Sequence, residues 1–108
     1  MSDQVREDWA ALEDTVPAEV FRAEVAAWAR RLEVEPQRVV IRQMTTKWGS
    51  CSTKGTLTFN EELLTQPAAL RRRVIVEELL HLKVANHGKL FRALLRSYLG
   101  EEEQAGVD

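Results

Sequence analysis

The sequence predicts a single α+β domain in which a small antiparallel or mixed sheet packs against a long apolar helix. Three observations support this fold class: apolar residues recur at helical spacing early in the chain, alternate at strand spacing in the middle, and then fill a nearly all-apolar helix. The length of 108 residues leaves room for one domain, against a prior of roughly 150 residues per domain. We expect this domain to span residues 1–100 and an acidic, disordered tail to occupy residues 101–108.

Two amphipathic helices are predicted in the first third of the chain. In the first, Ser2–Leu12, apolar side chains recur at i, i+4 and i+7. The second is expected over residues 17–33, because Pro17 suits the first turn of a helix and Glu35-Pro36 ends the pattern. Its apolar positions, expected to lie in the core, are Phe21, Val25, Trp28 and Leu32.

The pattern then changes to the two-residue alternation of strands. One strand is predicted from Arg38 towards Met44 and another at Thr56–Asn60, since both segments are rich in β-branched residues. A turn signal at Lys54-Gly55 precedes the second strand, so we expect the two to pair antiparallel. Residues Thr45–Ser52 are expected to form a third short strand or a loop.

A long helix is predicted from Pro67 to about Ala85. From Val74 onwards its apolar residues point in nearly every direction, which is typical of a helix buried on most sides. The sequence Asn86-His87-Gly88 interrupts it. A last helix is then expected from His87 or Gly88 to Leu99, with Gly100 as its end.

Composition and charge exclude several classes of protein. The apolar fraction of 44% and charged fraction of 30% favour a folded domain over a disordered one. A single cysteine, Cys51, excludes an intrachain disulfide, and no signal peptide or apolar run of ~20 residues is present, so we expect a cytoplasmic protein without a membrane partner. Residues 1–14 and 101–108 each carry a net charge of −4, which leaves residues 15–100 at +6 within a total of −2. An acidic or nucleic-acid partner therefore stays open beside an ordinary solvated surface.

The residues that suggest chemistry lie in the apolar helix. Glu77, Glu78 and His81 occur among valines and leucines, and His87 follows. Because burying an unpaired carboxylate costs several kcal/mol, the pattern implies a nearby cation. Glu77 and His81 share one helix face, and Glu78 lies about 100° further round. This is the spacing of two metal ligands and a general base.

The segment Glu77-Glu78-Leu79-Leu80-His81 differs from the zinc peptidase motif His-Glu-x-x-His only in its first ligand. Zinc accepts carboxylate oxygen, and two His with one Glu form a known catalytic ligand set. The predicted ligands are Glu77, His81 and His87, with Glu78 as the base. The same residues allow another interpretation, in which Arg73 pairs with Glu77 on the helix surface and both histidines are ordinary polar residues.

Longer stretches of the chain resemble the YgjP-like branch of zinc metallopeptidases, which are relatives of SprT-like proteins. The resemblance covers about residues 17–98 and involves ordered motifs. These are residues 41–52 with Trp48-Gly49-Ser50-Cys51-Ser52, the strand Leu57-Thr58-Phe59-Asn60 after Gly55, the helix motif at 74–82, and Asn86-His87. The resemblance implies a minimal zincin fold, one divalent metal ion, expected to be Zn, and hydrolysis of peptide bonds.

Position by position, the resemblance implies His81 and His87 as ligands and Glu78 as the general base. Glu77 stands where the family usually has its first ligand histidine. A carboxylate there lowers the charge of the site and makes oxygen-preferring metals more competitive with zinc.

The resemblance also implies that an extended substrate peptide lies along a strand edge, either Trp48–Ser52 or Thr56–Asn60. We expect the Trp48 side chain to pack over the motif helix. Cys51 is expected to be a small buried residue rather than a ligand or nucleophile, because no sequence feature favours its thiolate.

The sequence thus predicts a metal-dependent peptidase acting on a peptide or protein substrate. A second interpretation is a catalytically inactive module, metal-bound or metal-free, that binds a protein or a nucleic acid, and the departure at Glu77 favours it. Arg71-Arg72-Arg73 with Lys89, Arg92 and Arg96 would supply a basic face, although a solvated surface explains these residues equally. The sequence does not indicate an oligomeric state.

Overall fold

The computed structural model describes residues 15–100 and has the predicted α+β architecture. The helix expected at Ser2–Leu12 and the tail expected at residues 101–108 lie outside the described residues. The elements are α1 (Ala18–Leu32), β1 (Arg38–Arg42), β2 (Gly49–Cys51), β3 (Thr56–Asn60), a 3₁₀ helix (Glu61–Thr65), α2 (Ala68–Leu80) and α3 (Lys89–Leu99).

Helix α1 lies where the apolar spacing predicts it. The ring of Phe21 is buried and packs edge to face against the ring of Phe59, with the ring centroids 5.2 Å apart. Trp28 is only half-buried, and the Arg31 guanidinium lies over its ring. The helix ends at Glu33, whose φ of 60° allows its N–H to cap the last turn. The inward face of α1 therefore anchors the sheet.

The sheet is mixed, with the strand order β1-β3-β2. β2 and β3 form an antiparallel hairpin around Gly55, which has φ of 90°, whereas β1 pairs with β3 in parallel. The expected antiparallel pairing of the strand beginning at Arg38 with Thr56–Asn60 is therefore wrong. The turn at Lys54-Gly55 belongs to the β2–β3 hairpin, and residues 43–48, which we call the crossover loop, carry the chain past the end of β3.

Asn60, at the end of β3, holds the crossover loop in place. Its buried side-chain amide donates to the carbonyl oxygens of Met44 at 3.0 Å and Lys47 at 2.8 Å. Its Oδ1 accepts from the Glu62 N–H at 3.0 Å and so begins the 3₁₀ helix, which the sequence analysis does not predict. One side chain therefore connects the loop, the sheet and the short helix.

Helix α2 is buried on most sides, as predicted, but it ends at Leu80 instead of near Ala85. The N–H groups of His81, Leu82 and Lys83 donate to carbonyls three residues earlier, so the chain tightens into a turn. The last helix begins at Lys89, close to the predicted start. None of the helices within residues 15–100 is both long and apolar enough to cross a membrane. The core around α2 consists of Phe21, Val25, Ala29, Leu32, Leu57, Phe59, Leu63, Val74, Ile75, Val76, Leu79, Leu80, Phe91, Leu95 and Leu99.

Candidate metal centre

Two histidines face each other where the chain turns from α2 into α3. The Nε2 atoms of His81 and His87 are 2.9 Å apart, and the rings are stacked with centroids 4.6 Å apart. Phe91, which is buried at the start of α3, stacks against His87 at 4.2 Å and lies 5.0 Å from His81. The apolar ring thus supports both imidazoles from one side and limits their orientations.

The early end of α2 brings the two imidazoles together. The turn at residues 81–84 reverses the chain, and the Arg92 guanidinium donates to the His87 carbonyl at 3.1 Å. Burial and the neighbouring His87 lower the pKa of His81, while a hydrogen bond to the Ala85 backbone and the charge of Glu77 act in the opposite direction. The net lowering favours the neutral imidazole, which is the form that binds metal ions.

Glu78 is buried on α2, three residues before His81, with 8% of its surface exposed. Burial and the negative charge of Glu77 raise its pKa to about 7, and the positive charge of Lys47 acts against this increase. A carboxyl group with a pKa near neutrality can exchange a proton at physiological pH. This property suits a general base.

Strand β2 lies directly against Glu78. A Cβ atom built on Gly49 would lie 3.0 Å from the Glu78 Cγ and 3.2 Å from the Val74 Cγ1. Only a residue without a side chain allows this approach. Gly49 is therefore a site residue whose role the sequence motif Trp48-Gly49-Ser50-Cys51-Ser52 does not reveal.

Glu77 is half-buried, and its charge acts on both Glu78 and His81. Within the described structure, it forms no ion pair with Arg73, so the surface-pair interpretation lacks support. Glu77 also does not form a three-ligand group with the two histidines, because residues 15–100 contain no group of three or more His, Cys, Asp or Glu side chains arranged to hold a metal. Of the predicted ligands, the structure brings together His81 and His87.

The histidine pair fits a metal ion. Two nitrogen ligands of a tetrahedral zinc ion, each at roughly 2.0–2.1 Å from the metal, lie about 3.3 Å apart. The observed separation of 2.9 Å is that of a hydrogen bond between the two nitrogens, which a metal ion would replace while moving them about 0.4 Å further apart. Imidazole nitrogens match the ligand chemistry of zinc, and the third ligand is not in place in this structure.

The edge strand beside the site is β2, because β3 lies between β1 and β2. The expectation that Thr56–Asn60 supplies an edge is therefore wrong, and the alternative at Trp48–Ser52 agrees with the topology. Trp48 is 38% exposed, so part of its large apolar side chain lies at the surface next to β2.

Cys51 is half-buried, and burial and the charge of Glu78 raise the pKa of its thiol. This agrees with the expectation that Cys51 is not a nucleophile. The Cys51 end of β2 opens into a cavity of about 640 Å³ that His81 also lines.

The predicted basic face is incomplete. Arg71 is buried and forms an ion pair with Glu24, in which the Nε and Oε1 atoms are 3.1 Å apart. Its guanidinium also donates to the Gln66 carbonyl at 2.7 Å. Arg71 therefore stabilises the contact between α1 and α2 instead of presenting its charge to a ligand.

Comparison with known proteins identifies the family. A crystal structure of the metallopeptidase zymogen of Methanocaldococcus jannaschii jannalysin is similar to this chain, with a TM-score of 0.72 and 28% sequence identity over 81% of this chain and 88% of the other. The small mixed sheet and helices described above match that fold. No curated protein matches the chain. The family described as YgjP-like, metallopeptidase domain, matches residues 3–106, so the chain belongs to the YgjP-like metallopeptidase family.

Proposed function

We propose that this protein is a zinc-dependent peptidase in which Glu77, His81 and His87 bind the metal and Glu78 is the general base. The observation that carries the proposal is the pair of Nε2 atoms 2.9 Å apart, with a buried carboxyl group, Glu78, three residues before His81 on α2. Membership of a metallopeptidase family supports metal-dependent hydrolysis. The single cysteine suits the expected cytoplasmic compartment.

The chain's own residues supply the proton transfers. Bound zinc would polarise the scissile carbonyl and make water more acidic. Glu78 accepts a proton from the attacking water and then donates it to the nitrogen of the leaving amine. Burial and the charge of Glu77 raise the pKa of Glu78 to about 7 without metal, and a bound cation would lower it, which favours the ionised carboxylate that accepts the proton.

The free edge of β2 would hold the substrate. Among residues 15–100, β2 pairs only with β3, so an extended peptide beside Gly49–Cys51 would hydrogen-bond to the backbone groups on the other side of the strand. Such main-chain hydrogen bonds give affinity with little dependence on sequence. We therefore expect unfolded segments of proteins, and not folded domains, to be cleaved.

A cleavage assay with the full chain tests this function. Zinc-loaded protein should hydrolyse unfolded casein, a chelator should stop the reaction, and added zinc should restore it. Glu78→Gln should lower the rate by roughly 10²-fold or more while the metal content stays the same, because the amide cannot accept a proton. His81→Ala should lose the metal.

Glu61→Gln is the matched control, since it removes an exposed carboxylate on the 3₁₀ helix. Its rate should equal that of the wild type. Release of metal by Glu78→Gln would mean that base and ligand are assigned the wrong way round. Full activity in Glu78→Gln would exclude it as the base.

A second candidate is a catalytically inactive module that binds a protein or nucleic acid. Two observations favour it: Glu77 replaces the family's usual histidine, and the described residues do not form a three-ligand group. This candidate predicts that the wild type cleaves nothing even when zinc is bound. Metal analysis together with the cleavage assay separates the two functions.

A further inference from the structure

The crossover loop borders an open, polar cavity of about 350 Å³ at the start of β2. Its lining includes the cationic side chains of Arg42 and Lys47 and the hydroxyl-bearing residues Thr45, Thr46 and Ser50. No acidic residue lines it within the described structure. The cavity therefore offers positive charge and hydrogen-bond donors, which suit an anionic group.

This cavity adjoins the proposed general base. Lys47 lies near enough to Glu78 for its charge to lower the pKa of that carboxyl group. Ser50 belongs to the edge strand β2, and its neighbour Gly49 is packed against Glu78. A peptide extended along β2 with its scissile bond near Glu78 would therefore pass the cavity.

Hydrogen bonds from Asn60 preorganise the loop that lines the cavity. The buried amide of Asn60 donates to the carbonyls of Met44 and Lys47, and the Asn60 N–H donates to the Trp48 carbonyl at 2.9 Å. These three hydrogen bonds fix the backbone on both sides of Lys47. A loop held in this way loses little conformational entropy on binding, which favours affinity.

Given the proposed peptidase function, we propose that the crossover-loop cavity is a subsite for a carboxylate group of the substrate peptide. The carboxylate comes either from an aspartate or glutamate side chain or from a free C-terminus. Arg42 supplies a planar guanidinium that can bind both carboxylate oxygens, and Lys47 adds a second positive charge. A nucleic acid would need a longer basic surface, and the buried ion pair of Arg71 interrupts the basic face that the sequence suggests.

Binding measurements on the Glu78→Gln full chain, loaded with zinc, test this subsite without turnover. The probes are fluorescein-labelled alanine–serine hexapeptides with an amidated C-terminus and one glutamate at each position in turn, each paired with its glutamine counterpart. At one position, glutamate should bind about fivefold to tenfold more tightly than glutamine, and the difference should shrink in high salt. A second set of the same peptides with free C-termini tests the terminal carboxylate as the ligand. If a peptide with a free C-terminus binds more tightly than its amidated counterpart, the terminal carboxylate occupies the cavity.

Arg42→Gln and Lys47→Gln should each reduce this carboxylate preference, and both residues are exposed, so the fold should tolerate the changes. Arg96→Gln is the matched control, because it removes one positive charge from the last turn of α3, and it should keep the preference. The salt dependence with the parent chain gives an answer even if a variant fails to fold.

Three outcomes would overturn the subsite: no carboxylate preference in either peptide set, a preference that survives both substitutions, or binding of a DNA oligonucleotide that depends on Arg42 and Lys47 when peptide binding does not. Failure of the peptidase function gives a different result. In that case, the wild type cleaves no peptide although the carboxylate preference is present. Cleavage without any preference leaves the function standing and removes the subsite.

Discussion

At the scale of single residues, the contact between Gly49 and Glu78 decides how the base is held. The backbone of Gly49 occupies the space that a side chain would need, next to the Glu78 Cγ and the Thr58 carbonyl. The carboxyl group is thereby packed against the edge strand on which the substrate is proposed to lie. The position of Glu78 therefore depends on a residue that has no functional group of its own.

Gly49→Ala should destabilise the protein by about 1–3 kcal/mol, because the new methyl group would lie 3.0 Å from the Glu78 Cγ and 3.3 Å from the Thr58 oxygen. Hydrolysis should decrease as well, since Glu78 must move. Urea unfolding and the cleavage assay measure the two effects. In Gly88→Ala, the nearest atom is Asn86 Oδ1 at 3.8 Å, so this control should change stability much less. Equal stability losses in the two variants would contradict the packing argument.

Glu77→His tests Glu77 as a metal ligand by restoring the family's usual residue. If Glu77 is a ligand, the change replaces an anionic donor by a neutral one and raises the charge of the site by one unit. Zinc should then be favoured over oxygen-preferring metals, and the acidic limb of the pH–rate profile should move to lower pH. Metal titrations of the wild type, Glu77→His and Glu77→Ala measure this. Equal affinities in all three proteins would remove Glu77 from the metal site.

At the scale of elements, the crossover loop depends on Asn60. Asn60→Ala should destabilise the fold by about 2–4 kcal/mol, because the Met44 and Lys47 carbonyls lose their donor and the 3₁₀ helix loses its cap. Asn60→Asp keeps one carboxylate oxygen for the cap but places the other against the carbonyl oxygens of Met44 and Lys47. We therefore expect this variant to be no more stable than Asn60→Ala. Urea unfolding measures both losses. Thr65→Ala removes one exposed hydrogen bond in the same segment and should cost about 1 kcal/mol or less; a loss as large as that of Asn60→Ala would contradict the special role of Asn60.

Sequence periodicity locates the helices well and the strand pairing poorly, and the reason is physical. Helix α1 shows four apolar positions on one face, which is a local property. Strand β2 has only three residues, Gly49–Cys51, so its alternation is too short to show that β2, and not β1, pairs with β3 across the turn at Lys54-Gly55. The parallel pairing of β1 with β3 depends on a crossover whose path no local pattern specifies.

The same distinction applies to the site. Glu78 and His81 can be proposed as site residues from the sequence, because a carboxylate and an imidazole among apolar helix residues need an explanation, and His87 follows six residues later. Lys47 and Asn60 cannot, since their importance comes from contacts between segments distant in sequence. The end of α2 at Leu80 is also not predictable from the sequence, because apolar residues continue to Ala85. Only the i to i−3 hydrogen bonds of the turn show where the helix ends.

At the scale of the whole molecule, metal binding should be a large part of the stability. The negative charge of Glu77 acts on Glu78, and His81 and His87 lie in contact just beyond the end of α2, so a cation bound near them would offset the repulsion between the two carboxylates. Zinc at 100 times its dissociation constant adds about 2.7 kcal/mol, so a chelator should lower the melting temperature by about 10 °C or more. An unchanged melting temperature in a protein shown to contain no metal would contradict the ligand assignment.

The metal-free protein should show how strongly Glu78 links stability to pH. Its pKa is about 7 in the folded protein against an ordinary value of 4.5, so the folded state keeps a proton that the unfolded chain releases. The resulting stabilisation is complete below about pH 4.5 and is lost as the pH rises through 7. The lowered pKa of His81 has the opposite effect on stability. As the pH falls below 6.5, the unfolded chain binds a proton at His81 more readily than the folded protein does, so the folded state loses stability.

Comparison with Glu78→Gln isolates the contribution of Glu78, since His81 is common to both proteins. Relative to this variant, the chelated wild type should lose about 2–3 kcal/mol of unfolding free energy between pH 5 and pH 8, at about 1.4 kcal/mol per pKa unit. Urea unfolding at each pH measures the difference, and Glu61→Gln should show the wild-type slope. Zinc should flatten the wild-type slope, because a nearby cation stabilises the ionised carboxylate and lowers its pKa. Parallel pH profiles for the chelated wild type and Glu78→Gln would mean that Glu78 is ionised in both states, and a base poised near neutrality would then be excluded.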